Sequence, residues 1–208
     1  MTQVSLSELI AGANSGYLVS FPTDTVPALS VLPEKSELIF AAKQRSQDKP
    51  LILMAAQAAD LWQFVTKDGD VPSQWQEVAA AYWPGALTLV LPANDRVPRQ
   101  LNPTDPTTIG LRVPNCALAQ KILAQTGPLA TTSANFSGQP PLKTMNEIDA
   151  QFPQVLTLAP SELATVVTAA IGLPSTVVKW MGNHWKILRS GAVKFDDDSQ
   201  RLISDELD

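Results

Sequence analysis

The 208-residue chain is long enough for one large domain or two small ones, and its 45% hydrophobic residues are typical of a globular protein with a sizeable core. A net charge of −5 and a pI near 4.9 argue against a protein that binds nucleic acid over a broad basic face. One cysteine, Cys116, excludes an internal disulfide and a multi-cysteine zinc site, and one histidine, His184, excludes a His-rich metal site.

The scarcity of His and Cys also limits the chemistry of the chain. A Ser-His-Asp mechanism is disfavoured, so catalysis would depend on hydroxyl, amide, carboxylate, Lys or Arg groups or on the substrate itself. The N-terminus lacks a basic region followed by an apolar run, and no stretch approaches the roughly 20 apolar residues of a membrane-spanning helix. We therefore expect a cytoplasmic protein that has no membrane partner.

The first half of the chain predicts helices and short buried strands. Ser5 and Glu8 form a capping-box pattern at the start of a helix, and Gly16 is a plausible end for it. Residues 17–21 predict a buried strand that leads into the polar segment 22–25. Further helices are predicted at about 34–43, 55–65 and 73–82, and further strands at 51–54 and 86–91.

The second half begins with a loop rich in Pro, Asn and Asp at 92–106, which is long enough to be functional or mobile. Thr144 and Glu147 predict another capped helix, and residues 161–170 are ambiguous between helix and loop. The remaining predicted elements are a strand at 107–113, a helix at 116–125, a strand that opens the stretch 128–141, a weak strand at 155–158, and a hairpin of strands 175–180 and 184–188.

Strands and helices mix without strict alternation, and no repeat or linker divides the chain. This predicts an α/β (α+β) fold, with a single domain over residues 1–195 built on a twisted mixed β-sheet flanked by helices. An acidic C-terminal tail is predicted over residues 196–208.

Small hydroxyl and amide side chains follow several predicted strands. Ser133 and Asn135 end the strand in the stretch 128–141, Thr25 follows the strand 17–21, and Ser175 opens the last hairpin. Each case alone is compatible with an ordinary polar turn. If these strand ends meet, they form a site of neutral donors that suits a nucleotide or another phosphorylated ligand, although the GxxxxGK[ST] and GxGxxG motifs are absent from the sequence.

A few cations accompany these hydroxyls in an otherwise acidic chain. Lys43, Arg45 and Lys49 are compatible with a solvated helix end or with a clamp for phosphate or carboxylate. Arg112 ends an apolar strand, so it needs an anionic partner, which is either an internal Asp or Glu or a ligand. Arg189 repeats this situation at the end of the last hairpin strand.

Together these stretches resemble the YrdC/TsaC family of threonylcarbamoyl-AMP synthases, and the matches follow the family order over nearly the whole chain. The matching segments are residues 21–29 (FPTDTVPAL), 43–51 (KQRSQDKPL), 83–89 (WPGALTL), 111–114 (LRVP), 132–141 (TSANFSGQPP), 175–178 (STVV) and 188–192 (LRSGA). The resemblance implies a YrdC-like fold with a deep, electropositive central cavity.

The resemblance also implies an activity. Enzymes of this family join L-threonine, bicarbonate and ATP into threonylcarbamoyl-AMP and release pyrophosphate, and Mg²⁺ is expected with the nucleotide. A downstream threonylcarbamoyl-transferase complex then modifies an adenosine of certain tRNAs. Some members have been described as binding double-stranded RNA, so tRNA or double-stranded RNA is a further expected partner.

Site residues follow from the matched motifs. The resemblance implies that Lys43 and Arg45 are the catalytic cations, which hold phosphates and the threonine or carbamate carboxylate, and that Thr25 and Arg45 bind threonine. It implies no metal site on the protein. The nucleotide-binding residues that it implies are Ser133, Asn135, Arg112, Ser175 and Arg189.

The chain departs from the family pattern at positions close to the expected pocket. Pro27 and Ala28 replace a Tyr-Gly pair, and Pro174 replaces a Glu. These changes leave an alternative open, a diverged YrdC-fold protein that binds nucleotide or double-stranded RNA without synthase activity. A third reading is the related carbamoyl chemistry of hydrogenase maturation proteins, whose zinc and acylphosphatase modules this chain lacks.

Overall fold

A computed structural model describes residues 2–44, 46, 48–66, 70–163 and 171–196. Within these ranges ten strands form one mixed sheet, in the order β1-β8-β2-β3-β7-β4-β6-β5-β9-β10. The strands are β1 (Gln3–Val4), β2 (Val19–Phe21), β3 (Ala28–Val31), β4 (Ile52–Met54), β5 (Leu87–Pro92), β6 (Thr108–Arg112), β7 (Leu129–Ser133), β8 (Leu156–Leu158), β9 (Thr176–Trp180) and β10 (Trp185–Arg189).

Helices flank the sheet, and the α/β fold class predicted from the sequence is confirmed. The helices are α1 (Leu6–Asn14), α2 (Glu37–Lys43), α3 (Ala59–Trp62), α4 (Ser73–Tyr82), α5 (Ala117–Thr126), α6 (Met145–Gln151) and α7 (Pro160–Leu163), with 3-10 turns at Pro33–Lys35 and Arg99–Leu101. None of the described helices is long and apolar enough to cross a membrane.

One face of the sheet carries the larger hydrophobic core. Because side chains alternate between faces along a strand, the pairing of β4 with β6 and of β6 with β5 places Leu53, Leu111 and Leu89 side by side. These leucines are fully buried, in a core cluster that also contains residues of α2, α3, α4 and α6. Burial of one such side chain stabilises the fold by about 1.5–3 kcal/mol.

The opposite face is only partly covered. Helices α1 and α5 pack over its β2, β3 and β7 side, where Phe21, Ala28 and Leu129 join a second core cluster. Strands β6, β5 and β9 contribute no residue to that cluster, and this part of the face carries the cavity described below. The sheet therefore separates a packed layer from an open one.

Both predicted capping boxes are present. Ser5 accepts from the Glu8 backbone N–H while the Glu8 carboxylate accepts from the Ser5 backbone, and Thr144 and Glu147 repeat the arrangement. The last hairpin is also as predicted, with β9 and β10 antiparallel. These features depend on residues close together in the chain.

Other predicted elements differ in their bounds. The helix expected at 55–65 is only α3, because the backbone N–H of Ala55 first bonds to the Arg112 carbonyl at 3.2 Å beside β4. The helix expected at 34–43 is divided at Ser36 into a 3-10 turn and α2. Strand β3 was not predicted, since its four residues are all buried and show no alternation.

The segment 92–106 is held to the domain along its length. Leu101 is fully buried and its carbonyl accepts from the Leu51 N–H at 2.8 Å, while the Asn94 N–H bonds to the Phe64 carbonyl at 2.9 Å. The segment is therefore packed against the rest of the fold, and its functional role stays a prediction. The predicted tail from residue 197 onward, and residues 164–170 of the ambiguous segment, lie outside the described residues.

We expect Leu53→Ala to lower the free energy of unfolding by about 2–5 kcal/mol, because it opens a cavity in the centre of the sheet. The matched control is Leu38→Ala, at an α2 position that is 36% exposed, and its effect should stay within about 1 kcal/mol. Urea-induced unfolding of both variants measures the difference. Equal effects would contradict the assignment of the core to this face.

Candidate functional site

A cavity of about 680 Å³ lies on the open face of the sheet. Its floor crosses five adjacent strands, from β7 at one end to β9 at the other. At about 4.8 Å per strand the floor is roughly 19 Å wide, which is enough for an extended nucleotide. The side chains in one register row across it belong to Thr131, Ile52, Gly110, Val90 and Lys179.

Gly110 keeps the middle of this floor open. A Cβ atom at this position would lie 2.7 Å from Cγ2 of Ile52 and 3.3 Å from Cγ2 of Thr88. Both neighbours line the cavity, so any side chain here would project into its centre. The glycine is therefore explained by ligand space and by close packing across the strands.

Arg112 occupies one wall and is almost completely buried. Its Nη2 donates to Oδ1 of Asp24 at 2.6 Å, its Nη1 to Oγ1 of Thr25 at 2.8 Å, and its Nε to the Gly85 carbonyl at 3.0 Å. Burial lowers the pKa of Arg112, and the charge of Asp24 partly offsets this effect. The sequence did not decide whether the anionic partner of Arg112 is an internal carboxylate or a ligand. In the structure this partner is the carboxylate of Asp24.

Ser133 and Asn135 line the opposite part of the cavity. The Ser133 hydroxyl donates to Oδ1 of Asn135 at 2.6 Å, and Nδ2 of Asn135 donates to the Phe136 and Gln139 carbonyls at 2.8 and 2.6 Å. The buried Asn135 amide thus closes the loop that follows β7. Through its hydrogen bond to the Ser133 hydroxyl, the amide also shapes the wall that Ser133 presents to the cavity.

Lys43 lies directly behind this wall and is fully buried. Its ammonium donates to the Ser133 carbonyl and, at 3.2 Å, to Oδ1 of Asn135. The structure therefore brings Lys43 to the cavity through two residues that line it. Arg45, which the sequence paired with Lys43, lies outside the described residues.

Ser175 and Arg189 form the end of the cavity beside β9 and β10. The Ser175 hydroxyl lies 2.9 Å from Oγ1 of Thr88, and Nη2 of Arg189 donates to the Ser175 carbonyl at 2.9 Å. Desolvation of the guanidinium lowers the pKa of Arg189. A Cβ atom on Gly191 would lie 2.3 Å from the Pro174 carbonyl, so glycine is required where the closing segment crosses β9.

Two further charged residues in the cavity were not predicted as site residues. Lys179 donates to Oδ2 of Asp105 at 3.1 Å, and this carboxylate also accepts from the Thr107 and Thr108 hydroxyls at 2.5 and 3.1 Å. The Thr107 hydrogen bond, followed by that of Lys179, lowers the pKa of Asp105 to about 2. A lysine within the otherwise mainly apolar strand TVVKW, two residues after the cavity-facing Val177, was the available sequence signal.

The charges that line the cavity are mainly positive. Among the described lining residues, Lys49, Arg112, Lys179 and Arg189 are cationic and only Asp105 is anionic. Many of the other lining groups are hydroxyls, including those of Thr25, Ser133 and Ser175. Such a cavity suits an anionic ligand with polar edges, in agreement with the expectation from the strand ends.

The family model for Sua5, YciO and YrdC proteins, described as "Telomere recombination", matches residues 13–191. The chain belongs to this family. Threonylcarbamoyl-AMP synthases of Yersinia enterocolitica and Serratia proteamaculans are 33% and 32% identical to it, over 72% and 77% of this chain and 80% and 90% of theirs. The YrdC resemblance read from the motifs is thus confirmed.

Solved structures of the Sua5/YciO/YrdC family agree with the fold. Sua5 of P. abyssi in complex with L-threonine superimposes with a TM-score of 0.77 at 29% identity, covering 89% of this chain. The chain spans about half of that protein (54%). E. coli YciO, at 22% identity and a TM-score of 0.74, supports the fold alone.

The three positions at which the sequence analysis expected departures from the family motifs lie in the cavity wall. Pro27, Ala28 and Pro174 all line it. Pro27 still accepts a hydrogen bond from the Ala134 N–H at 3.0 Å, and Ala28 pairs with Ser133 across β3 and β7. The backbone pairing around these positions is therefore present.

Cys116 and His184, the single cysteine and histidine of the chain, are not among the residues that line the cavity. Cys116 is buried, its thiol donates to the Pro22 carbonyl at 3.6 Å, and burial raises its pKa. His184 lies in the β9–β10 turn, with Nδ1 2.8 Å from Oδ1 of Asn183. The described residues contain no group of three or more His, Cys, Asp or Glu side chains that could hold a metal ion.

The low pKa of Asp105 gives a pH prediction. Because this pKa lies below the ordinary value of 3.8, the stabilising contribution of the carboxylate is fully present above about pH 3.8 and is lost as the pH falls through about 2. With the side chain 40% exposed, we expect this contribution to be about 1 kcal/mol or less. Carboxyl NMR titration should show the Asp105 pKa rising in Thr107→Val and unchanged in the control Thr104→Val, whose hydroxyl bonds to Asn102.

Proposed function

We propose that this protein is an L-threonylcarbamoyl-AMP synthase, a nucleotidyltransferase that uses L-threonine, bicarbonate and ATP. The observation that carries the proposal is a cavity about 680 Å³ in volume that combines a wall of hydroxyls with four cationic side chains and is built from the family motifs. The curated relatives carry this name, and P. abyssi Sua5 has been solved with L-threonine. These names give no support to a binding protein without synthase activity.

The proposed reaction proceeds in two steps. The threonine amine combines with bicarbonate and loses water to give a carbamate. A carbamate oxygen then attacks the α-phosphorus of ATP, the bond from that phosphorus to the bridging oxygen breaks, and pyrophosphate leaves. This chemistry uses no covalent enzyme intermediate, so the contribution of the protein is to position the reactants and to stabilise the charge that develops on the phosphates.

The nucleotide would contact Ser133, Ser175, Arg112 and Arg189. Three of the five N–H donors of Arg112 are used by Asp24, Thr25 and Gly85, which leaves two for a ligand. This partial engagement supports a guanidinium that is oriented by the protein before the ligand arrives. Asn135 keeps a place in the nucleotide site through its hydrogen bond to Ser133.

Threonine would bind near Thr25 and Arg45. The Thr25 hydroxyl accepts from Arg112 and lies 3.1 Å from the Thr23 hydroxyl, so its orientation is set by the protein. In this proposal Lys43 is required for catalysis, as predicted from the sequence. Its hydrogen bonds to Ser133 and Asn135 support a role in positioning these two residues.

Magnesium is proposed to enter as the counter-ion of the ATP triphosphate, since Mg²⁺ prefers phosphate and water oxygens. The product would pass to a threonylcarbamoyl-transferase complex that acts on tRNA, and we place the reaction in the cytoplasm. Direct binding of tRNA or double-stranded RNA remains an expectation of the family resemblance.

The test is release of AMP and pyrophosphate from ATP in the presence of bicarbonate, with and without L-threonine. We expect threonine-dependent release from the wild type and a loss of kcat of about 100-fold in Lys43→Met, because the Ser133 wall loses its buried support. Lys121→Met, on the exposed side of α5, is the matched control. Melting curves and the separate changes in kcat and KM distinguish a site effect from unfolding.

Wild-type protein that binds ATP but releases no AMP with threonine would contradict the synthase. Full activity in Lys43→Met would instead show that the Lys43 assignment is wrong while leaving the synthase intact.

A further inference from the structure

Lys179 and Asp105 form the one ion pair of the described residues in which both partners line the cavity. Lys179 is the fourth of the five residues of β9, in the register row that crosses the floor through Val90 and Gly110. Asp105 belongs to the segment that leads into β6. Lys179 therefore faces the ligand space from the β9 end of the floor, and β7, which carries Ser133, forms the other end.

The two partners are unequally satisfied. The Asp105 carboxylate accepts from two threonine hydroxyls in addition to Lys179, and its low pKa agrees with this surplus of donors. Lys179 has Asp105 as its hydrogen-bond partner among the described residues, which uses one of its three N–H donors. Lys179 can thus turn towards a ligand without leaving Asp105 unpaired.

The surroundings favour an anionic ligand over a purely structural role. Lys179 retains 29% exposure of its side chain, so its ammonium is not fixed by burial. Val177 and Ser175 precede it on the same face, and Arg189 donates to Ser175. Gly110, which has no side chain, lies two strands away from Lys179 in the same register row and also lines the cavity.

We propose that Lys179 is a phosphate-binding residue of the cavity, which exchanges its bond to Asp105 for one to the polyphosphate group of the nucleotide. Asp105 holds the ammonium over the cavity until the ligand arrives and competes with the phosphates for it. The inference rests on the proposed nucleotide substrate but not on the synthase reaction.

Calorimetric titration with three probes tests it, namely ATP, inorganic pyrophosphate and adenosine. Lys179→Met should weaken ATP and pyrophosphate at least about tenfold and leave adenosine unchanged, since a hydrogen bond between charged groups is lost. Lys179→Arg should stay within about threefold of the wild type, and the control Lys121→Met should change nothing. Asp105→Asn should tighten ATP and pyrophosphate about threefold, because the competing charge is removed.

Unchanged ATP and pyrophosphate affinity in Lys179→Met would overturn the proposal, and so would an equal loss for adenosine, which would show that the lysine only shapes the wall. Weaker pyrophosphate binding in Asp105→Asn would also overturn it and would assign the pair to holding the 92–106 segment. A wild type that binds no ATP or pyrophosphate would overturn both this proposal and the nucleotide site.

The threonine-dependent AMP assay distinguishes failure of the Lys179 proposal from failure of the synthase proposal. Lys179-dependent ATP binding without AMP release would support this inference and contradict the synthase. AMP release by Lys179→Met with the same KM for ATP as the wild type would support the synthase and contradict this inference.

Discussion

The buried guanidinium of Arg112 sets the main constraint on this structure. A charge that is removed from water must be neutralised and hydrogen-bonded, or the fold loses about 3–5 kcal/mol. Asp24, Thr25 and the Gly85 carbonyl meet this requirement, and they come from two segments that are distant in the chain. One side chain thereby joins the polar exit of β2, the turn before β5 and the end of β6 into a single wall.

Lys43 is a second buried charge that must be hydrogen-bonded, and it lies behind the Ser133 wall of the cavity. Its ammonium has no exposed surface, and it is held by the Ser133 carbonyl and the Asn135 amide oxygen. Loss of the ammonium would remove a donor from both acceptors, and loss of the acceptors would leave a buried charge. These hydrogen bonds therefore couple the loop after β7 to the end of α2.

Between these two walls the sheet provides a floor that suits an extended polar ligand. The alternation of side chains sends the leucines of the central strands into the core and leaves Thr131, Ile52, Gly110, Val90 and Lys179 facing the cavity. Helices α1 and α5 cover only one part of this face. The volume needed for substrates is thus a consequence of unequal helix coverage, and the cations around it give it a net positive lining.

The amino-acid sequence by itself determined the features that depend on neighbouring residues. Local spacing predicts both capping boxes, helix α4 and the last hairpin. The order of the motifs gives the resemblance to the family, and that resemblance placed Ser133, Ser175, Arg112 and Arg189 around one cavity. Only the tertiary structure decided which groups neutralise the buried charges. The bond between Arg112 and Asp24 spans 88 positions and that between Lys43 and Ser133 spans 90. Local patterns carry no information about such pairings, since the partner of a buried charge is chosen by the packing of the whole sheet, and for the same reason the position of Lys179 opposite Asp105 could not be predicted from the chain alone.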